Sequence, residues 1–78
     1  MKIGEIAKKA EMPVKTVRYY ADIDLVSPNG RTDAGYRTYN DAALRKLVFI
    51  RHARAFDFSI EECRELLGLF TDQQRTSA

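Results

Sequence analysis

The stretch that decides the fold is residues 3–21, IGEIAKKAEMPVKTVRYYA. In its first half, apolar residues recur at the i, i+3, i+4, i+7 spacing of an amphipathic helix. Pro13 interrupts the pattern and suits the first turn of a second helix, where its missing N–H has no helical partner to lose. Two short helices joined by a tight turn are typical of a helix-turn-helix unit. The apolar stripe of the first helix consists of Ile3, Ile6, Ala7 and Ala10.

The second helix is predicted over about residues 14–21, with a basic and aromatic outer side. Lys15, Arg18 and Tyr19 fall along one exposed stripe. Such a helix fits the major groove of DNA, where Arg reads guanine with two hydrogen bonds and Lys or Tyr holds phosphate. Tyr20 faces inward by spacing, so core packing is the first interpretation for it, and DNA contact is the second.

Residues 22–40 lack helical periodicity and are rich in turn formers. The β-prone runs at residues 25–26 and 36–39 predict a small hairpin, with Gly35 at the positive-φ position of its turn. Its tip and arms carry Arg31, Tyr36 and Arg37. A hairpin of this composition beside a helix-turn-helix suits contact with phosphate and with the minor groove. The alternative is a solubilising loop.

Two further helices complete a mostly α chain of about four helices with one small β-hairpin. Asn40 is a good N-cap for the third helix, which is expected to run to about residue 55 with Arg54 on its outer side. Ser59 and Glu62 form a capping box at the start of the fourth helix, predicted to end near residues 71–72.

Length and charge restrict the function classes. The chain of 78 residues holds one small domain with a single core. Its net charge is only +2, but residues 15–54 carry eight basic and four acidic groups, whereas residues 55–78 carry two basic and five acidic ones. This asymmetry is compatible with an oriented contact with a polyanion, and a solvated surface is the alternative. With no long apolar run or signal peptide, the sequence predicts a cytoplasmic protein without a membrane contact.

Catalytic and metal chemistry find little support. His52 and Cys63 lie on different predicted helices, eleven positions apart, without a third ligand nearby, so no metal site or cofactor is expected in this chain. Glu61 and Glu62 are adjacent on a helix and face different ways, so they are not paired carboxylates. No glycine-rich phosphate loop is present. The sequence therefore predicts that the chain is not an enzyme.

Four segments together resemble the N-terminal DNA-binding domain of MerR-family transcription regulators. They are residues 3–7 (IGEIA), 17–20 (VRYY), 31–39 (RTDAGYRTY) and 49–54 (FIRHAR). The similarity covers essentially the whole chain and implies a winged helix-turn-helix, with the second helix in the major groove. The resemblance implies that Lys15, Arg18 and Tyr19 or Tyr20 belong to the reading helix, Tyr36 and Arg37 to the first wing, and Arg54 to the second.

Within this family the chain is similar to the copper-responsive regulators. Sensors of divalent metals usually have a cysteine where Ser77 falls, so the serine favours monovalent copper, although a helix N-cap explains it equally well. The resemblance implies a DNA-binding domain over residues 1–72 and, in 73–78, the start of a junction to a dimerisation helix. The chain stops before that helix and before the cysteine-bearing effector loop. Copper(I) binding and homodimerisation are therefore expected only in a full-length relative.

The implied function is binding of double-stranded promoter DNA in the bacterial nucleoid. Full-length relatives act as dimers that distort the promoter spacer and so affect RNA polymerase indirectly. Two alternatives remain open. One is an excisionase-like architectural DNA binder with the same fold, and the other is a protein-interaction module that docks a partner through the fourth helix.

Overall fold

The structure is a computed structural model that describes residues 1–76, with side chains for residues 1–69. The mostly α architecture with one small hairpin is confirmed. Along the described part of the chain the elements are α1 (Ile3–Ala10), α2 (Val14–Asp22), β1 (Gly30–Arg31), β2 (Arg37–Thr38), α3 (Asp41–Ala55) and α4 (Ile60–Thr76).

A tight turn at Glu11 joins α1 to α2. Glu11 has φ 59° and ψ 46°, the left-handed region that few residues with a Cβ adopt. Its amide donates a hydrogen bond of 3.1 Å to the carbonyl oxygen of Lys8. Its carboxylate lies 3.4 Å from the guanidinium of Arg51 on α3, which ties the turn to the rest of the domain. Pro13 is the N-cap residue of α2, directly before the first turn in which it was expected.

The hairpin is a two-stranded antiparallel sheet in which Gly30 pairs with Thr38 and Arg31 pairs with Arg37. Its turn is closed by a hydrogen bond of 2.8 Å from the amide of Gly35 to the carbonyl oxygen of Thr32. Gly35 has φ 88°, which confirms the predicted positive-φ position. Because only glycine adopts this conformation without strain, the residue determines where the hairpin turns.

The β-prone run at residues 25–26 is not a strand, and that prediction is wrong. The amides of Leu25 and Val26 both donate to the carbonyl oxygen of Tyr20, at 2.8 and 3.2 Å, and so close the end of α2. Both side chains are buried in the core. The two apolar side chains pack into the core directly after α2. Their backbone amides already donate to Tyr20, so they are not available to a sheet.

Both predicted helix starts in the second half of the chain are confirmed. Asn40 Oδ1 accepts a hydrogen bond of 3.0 Å from the amide of Ala43 at the start of α3. Ser59 and Glu62 bond reciprocally, at 2.8 Å from the Ser59 amide to Glu62 Oε1 and at 3.0 Å from the Glu62 amide to Ser59 Oγ. These bonds satisfy donors that have no partner within the helix.

The end of α4 differs from the prediction. The helix continues to Thr76 and does not stop near residues 71–72. Residues 72–76, DQQRT, contain neither glycine nor proline, so no residue in this segment breaks the helix. The backbone therefore has no break at the boundary expected between residues 72 and 73.

One hydrophobic core holds these elements together. α1 packs against α2 and α3, and α4 packs against α3. No helix in the described part of the chain is both long and apolar enough to cross a membrane. The core side chains include Ile6, Ala10, Val17, Tyr20, Leu25, Val26, Tyr39, Leu47, Ile50, Cys63 and Leu67.

Candidate nucleic-acid interface

Helix α2 presents one face to the core and the other to solvent. Val17 is fully buried in the core, on the side of α2 that packs against α1. Lys15 and Arg18 are exposed, and Tyr19 has 51% of its surface accessible. The helix is therefore a ridge with cationic and aromatic side chains along its outer side, as the sequence predicted.

A groove on one side of this ridge separates α2 from the hairpin. We call it the wing groove; it has a volume of about 500 Å³. Arg18 contributes from α2, while Arg31 and Arg37 contribute from the two strands. Tyr36, 63% accessible, stands at its rim next to the turn. The complete lining is Lys2, Ile3, Arg18, Asp22, Arg31, Gly35, Tyr36 and Arg37.

The register of the hairpin sets two like charges opposite each other. Arg31 and Arg37 are direct cross-strand partners, so their Cβ atoms leave the same face of the ribbon. Like charges at such a position destabilise a hairpin unless an anion lies between them or nearby. Arg31 Nη1 makes only a long contact of 3.4 Å to the carbonyl oxygen of Gly35. The pair is thus well suited to a phosphate.

A second groove lies on the opposite side of the ridge. This connector groove, about 400 Å³ in volume, separates α2 from the start of α4 and is lined by Lys15, Thr16, Tyr19, Tyr20, Arg54 and Ile60. Arg54 Nη1 donates a hydrogen bond of 2.7 Å to the carbonyl oxygen of Phe58. That bond holds the guanidinium beside the α3–α4 connector, and its remaining N–H groups are free to donate outward.

Tyr20 belongs mainly to the core, which favours the first of its two interpretations. It is only 7% accessible, and burial raises the pKa of its hydroxyl, an effect that the nearby charge of Arg54 opposes. Its ring lies 5.9 Å from that of Tyr19, centroid to centroid. A DNA contact by Tyr20 is therefore restricted to the edge that lines the connector groove.

Tyr39 supports the wing groove from within the fold. The residue is 2% accessible, and its hydroxyl is buried without a hydrogen-bond partner among the described residues. Burial raises the pKa of this hydroxyl, and the positive charges of Arg37 and Arg18 offset only part of that shift. The hydroxyl is therefore neutral near pH 7 and adds no negative charge behind the arginines.

Within the described part of the chain, no ion pair joins a cation of the two grooves to an acidic side chain, although Asp22 lies in the lining of the wing groove. Among the described residues, ion pairs join Lys9 to Glu5, Arg51 to Glu11 and Arg64 to Glu61, all outside the grooves. Since no internal ion pair competes for them, the groove cations are available to an external polyanion. They are Lys2, Lys15, Arg18, Arg31, Arg37 and Arg54.

Sequence reasoning missed Lys2, Thr16 and Asp22, which also line these grooves. Lys2 and Asp22 lie outside the predicted stripes, and only the folded chain brings them beside Arg18 and Arg37. Thr16 adjoins Lys15, so the helical spacing that selected Lys15 could have found it. No periodic signal in the sequence points to Lys2.

The described residues do not fit a metal ion. No group of three or more His, Cys, Asp or Glu side chains comes together among them. Cys63 is fully buried, and its burial raises the pKa of the thiol, which disfavours the thiolate that metals bind. His52 lies on the exposed side of α3.

Comparison with known proteins decides what kind of domain carries this ridge and its grooves. The sequence profile described as MerR HTH family regulatory protein matches residues 1–69. The chain belongs to the MerR family.

Three similar proteins illustrate the breadth of that family. Heavy metal-dependent transcription regulator 2 of Rhizobium meliloti is 45% identical over the whole chain, which covers 53% of that protein. The regulator CueR of Salmonella typhi is 44% identical, again over the whole chain and 56% of its own length. The crystal structure of PbrR691 from Ralstonia metallidurans, in complex with lead(II), superposes with a TM-score of 0.84 at 40% identity, covering 94% of this chain and 57% of PbrR691.

Membership of the MerR family defines the parts of the fold. α1 and α2 are the helix-turn-helix, the hairpin is the first wing, and the α3–α4 connector with its flanking helices is the second wing. The chain spans little more than half the length of the relatives described. Those relatives are regulators of transcription, a non-enzymatic class.

Proposed function

We propose that this chain is the DNA-binding domain of a metal-responsive MerR-family regulator, and that it binds double-stranded promoter DNA. One observation carries the proposal: α2 is a ridge between two cationic grooves, with Arg18 facing one groove and Lys15 facing the other. A ridge in the major groove with cations on both sides matches the phosphate strands that border that groove.

The residues divide into base-reading and phosphate-binding roles. Arg18, in the middle of α2, is the candidate for a bidentate contact with guanine. Lys15 and Tyr19 flank it toward the connector groove, where Arg54 binds the backbone as part of the second wing. The cross-strand pair Arg31 and Arg37, with Tyr36 at the rim, binds the backbone on the other side.

The mechanism proposed for the whole protein goes beyond this domain. Residues 1–72 form the DNA-binding domain, and 73–78 begin the junction to a dimerisation helix; Ser77 lies outside the described residues. Dimerisation places two domains on a palindromic promoter, and wing contacts on either side stabilise a distorted spacer that RNA polymerase then uses. Such a regulator acts in the bacterial cytoplasm, on the nucleoid.

Copper(I) is the effector that the resemblance favours, and CueR is among the relatives. A heavy metal-dependent regulator and a lead(II)-bound regulator are also similar to the chain, so divalent metal ions are the alternative effectors. A promoter-reporter assay of the whole regulator with copper(I), zinc(II) and lead(II) tests it. Induction by a divalent ion alone would contradict copper.

Titration of the chain against duplex DNA at several salt concentrations tests the DNA-binding proposal. Binding through several phosphates must weaken steeply with salt, with a slope of log K against log salt of about −0.9 for each phosphate contacted. A palindromic promoter site and a scrambled duplex of equal length separate sequence-specific from general binding. Salt-independent binding, or none at all, would contradict the proposal.

An apolar depression favours a second candidate function, the docking of a protein partner through α4. It lies between α3 and α4, has a volume of about 510 Å³, and is lined by Phe49, His52, Ala53, Phe56, Phe58 and Leu66. Phe56 is 78% accessible. Replacing Phe56 with Ser should leave DNA binding intact if the depression serves another partner, and salt-insensitive association would favour that function.

The excisionase-like alternative shares the fold and the DNA surface. It differs in its outcome, because it bends DNA for recombination and does not act on a promoter. The promoter-reporter assay separates the two, since an architectural protein gives no metal-dependent change in transcription.

A further inference from the structure

Arg64 links helix α4 to helix α2, two elements that pack mainly against different helices. The reading helix α2 packs against α1, whereas α4 packs against α3. From the second turn of α4, Arg64 reaches across to the end of α2. Its Nη2 donates a hydrogen bond of 3.0 Å to the carbonyl oxygen of Ile23, and its Nη1 donates one of 3.3 Å to that of Asp24.

These two hydrogen bonds, which we call the Arg64 clamp, match the chemistry of a helix end. Ile23 is the C-cap of α2, and carbonyl groups at a helix end carry partial negative charge and have no partner within the helix. A guanidinium presents divergent N–H donors in a rigid plane, so it bonds two successive carbonyls at once, which an ammonium group does less well. Glu61 Oε2, 3.8 Å from Arg64 Nε, favours the orientation that makes this possible.

The Arg64 clamp lies next to the connector groove, which belongs to the proposed DNA-binding surface. Ile60 lies one helical turn before Arg64 and lines the connector groove, in which Arg54 faces Lys15 and Tyr19. A bond from this part of α4 to the end of α2 therefore sets the distance between the reading helix and the second wing.

We propose that Arg64 is a positioning residue for DNA binding: it holds the second wing in register with the reading helix without touching DNA itself. The proposal rests on the function proposed above, since it assumes that α2 and the connector engage one duplex. It predicts that the contribution of the second wing to affinity depends on Arg64.

The experiment combines protein variants with duplex length. Four proteins are each titrated against a promoter half-site and against duplexes shortened stepwise from either end. They are wild type, Arg64→Met, Arg64→Lys and the control Arg45→Met, which changes an exposed position of α3. The ratio of affinities for long and short duplexes is taken within each variant, so a partly unfolded population cancels. Circular dichroism checks that each variant is folded.

For wild type, removing the phosphates under the second wing should lower affinity about tenfold, as expected for loss of one charged hydrogen bond. The same shortening should lower the affinity of Arg64→Met by no more than about twofold, because the second wing of this variant is no longer held in place. Arg64→Lys should fall between them, and Arg45→Met should match wild type.

Three outcomes would overturn the assignment. In one, Arg64→Met loses the same factor on shortening as wild type. In another, wild type binds in a salt-dependent way but is indifferent to shortening. In the third, Arg64→Met lowers the salt slope on the shortest duplex by about 1, which marks a direct phosphate contact. If wild type shows no salt-dependent binding to any duplex, the proposed function itself fails.

Discussion

The ammonium group of Lys2 lies over the ring of Tyr36, 5.1 Å from its centroid, and joins the start of the chain to the first wing. The same segment is held by a backbone bond, because the amide of Tyr39 donates to the carbonyl oxygen of Met1 at 2.7 Å. The N-terminal residues thus form a strap along the hairpin. An isolated two-stranded hairpin is marginally stable, so the strap helps to fix the wing relative to α2.

A double-mutant cycle tests the strap. Lys2→Met and Tyr36→Leu should each weaken DNA binding, and their effects should be coupled by about 0.5–1 kcal/mol, the strength of a cation–π contact at an exposed site. Lys8→Met, at an exposed position of α1 outside the grooves, is the matched control. The measurement is affinity for one duplex by fluorescence anisotropy. Additive effects of the two changes would mean that Lys2 acts on DNA independently of Tyr36.

Arg18→Ala should cost sequence discrimination. The side chain is exposed in the middle of α2 and is our candidate for a base contact worth roughly 1–3 kcal/mol. Selection of binding sites from a random pool should then give one relaxed position in each half-site. Arg45→Ala serves as the control, and an unchanged site preference for Arg18→Ala would remove this residue from base reading.

Arg37→Ala should weaken binding to all sequences alike. Arg37 pairs across the hairpin with Arg31, where two guanidinium groups suit a phosphate. Its loss should lower the salt slope by about 1 and leave the ratio of specific to non-specific affinity unchanged. Titrations at three salt concentrations measure both quantities. A loss confined to the promoter site would mean that Arg37 reads bases.

Cys63 predicts how stability depends on alkaline pH. Burial raises the pKa of its thiol in the folded chain, so the folded state holds this proton more tightly than the unfolded state. The resulting stabilisation is complete below the ordinary thiol pKa of about 8.5 and is lost as the pH rises through the raised folded value. Burial also raises the pKa of Tyr20 and Tyr39. Their ionisation therefore adds losses of stability of the same sign at higher pH.

Urea unfolding of wild type and Cys63→Ala at pH 7, 9 and 10 measures this effect. The variant should be less stable at pH 7 by about 1–2 kcal/mol because it leaves a small cavity in the core. It should then lose less stability than wild type between pH 7 and pH 9. Parallel losses in the two proteins would show that the thiol proton is not linked to folding.

Tethering two copies of the chain should raise affinity without new DNA contacts. A single domain with a few charged contacts is expected to bind in the range of roughly 10⁻⁴–10⁻⁶ M at physiological salt. Fusing an unrelated antiparallel coiled coil after Ala78 makes the second binding event intramolecular, which can add about 10²–10⁴ in affinity on a palindromic site. Sedimentation of the unfused chain is the control. A stable dimer, or nanomolar binding by a monomer, would contradict this expectation.

The sequence alone determined what depends on neighbours within a turn or two of chain. The apolar stripe of α1, the Asn40 cap, the capping box of Ser59 and Glu62, and the turn at Gly35 all form as predicted. Each follows from helical spacing or from a short-range hydrogen bond. The exposed stripe of α2 was predictable for the same reason, since Val17 fixes which side faces the core.

Tertiary structure decided which residues of different elements came together. Arg31 and Arg37 became one cationic pair only through the hairpin register, and Lys2 joined them only because the N-terminus lies along that hairpin. Arg64 makes the same point, since it bonds to the end of α2 from 41 positions away and no local sequence pattern assigned that contact. The physical reason is that periodicity reports which side of an element is buried, whereas partners across the core are selected by packing of the whole chain.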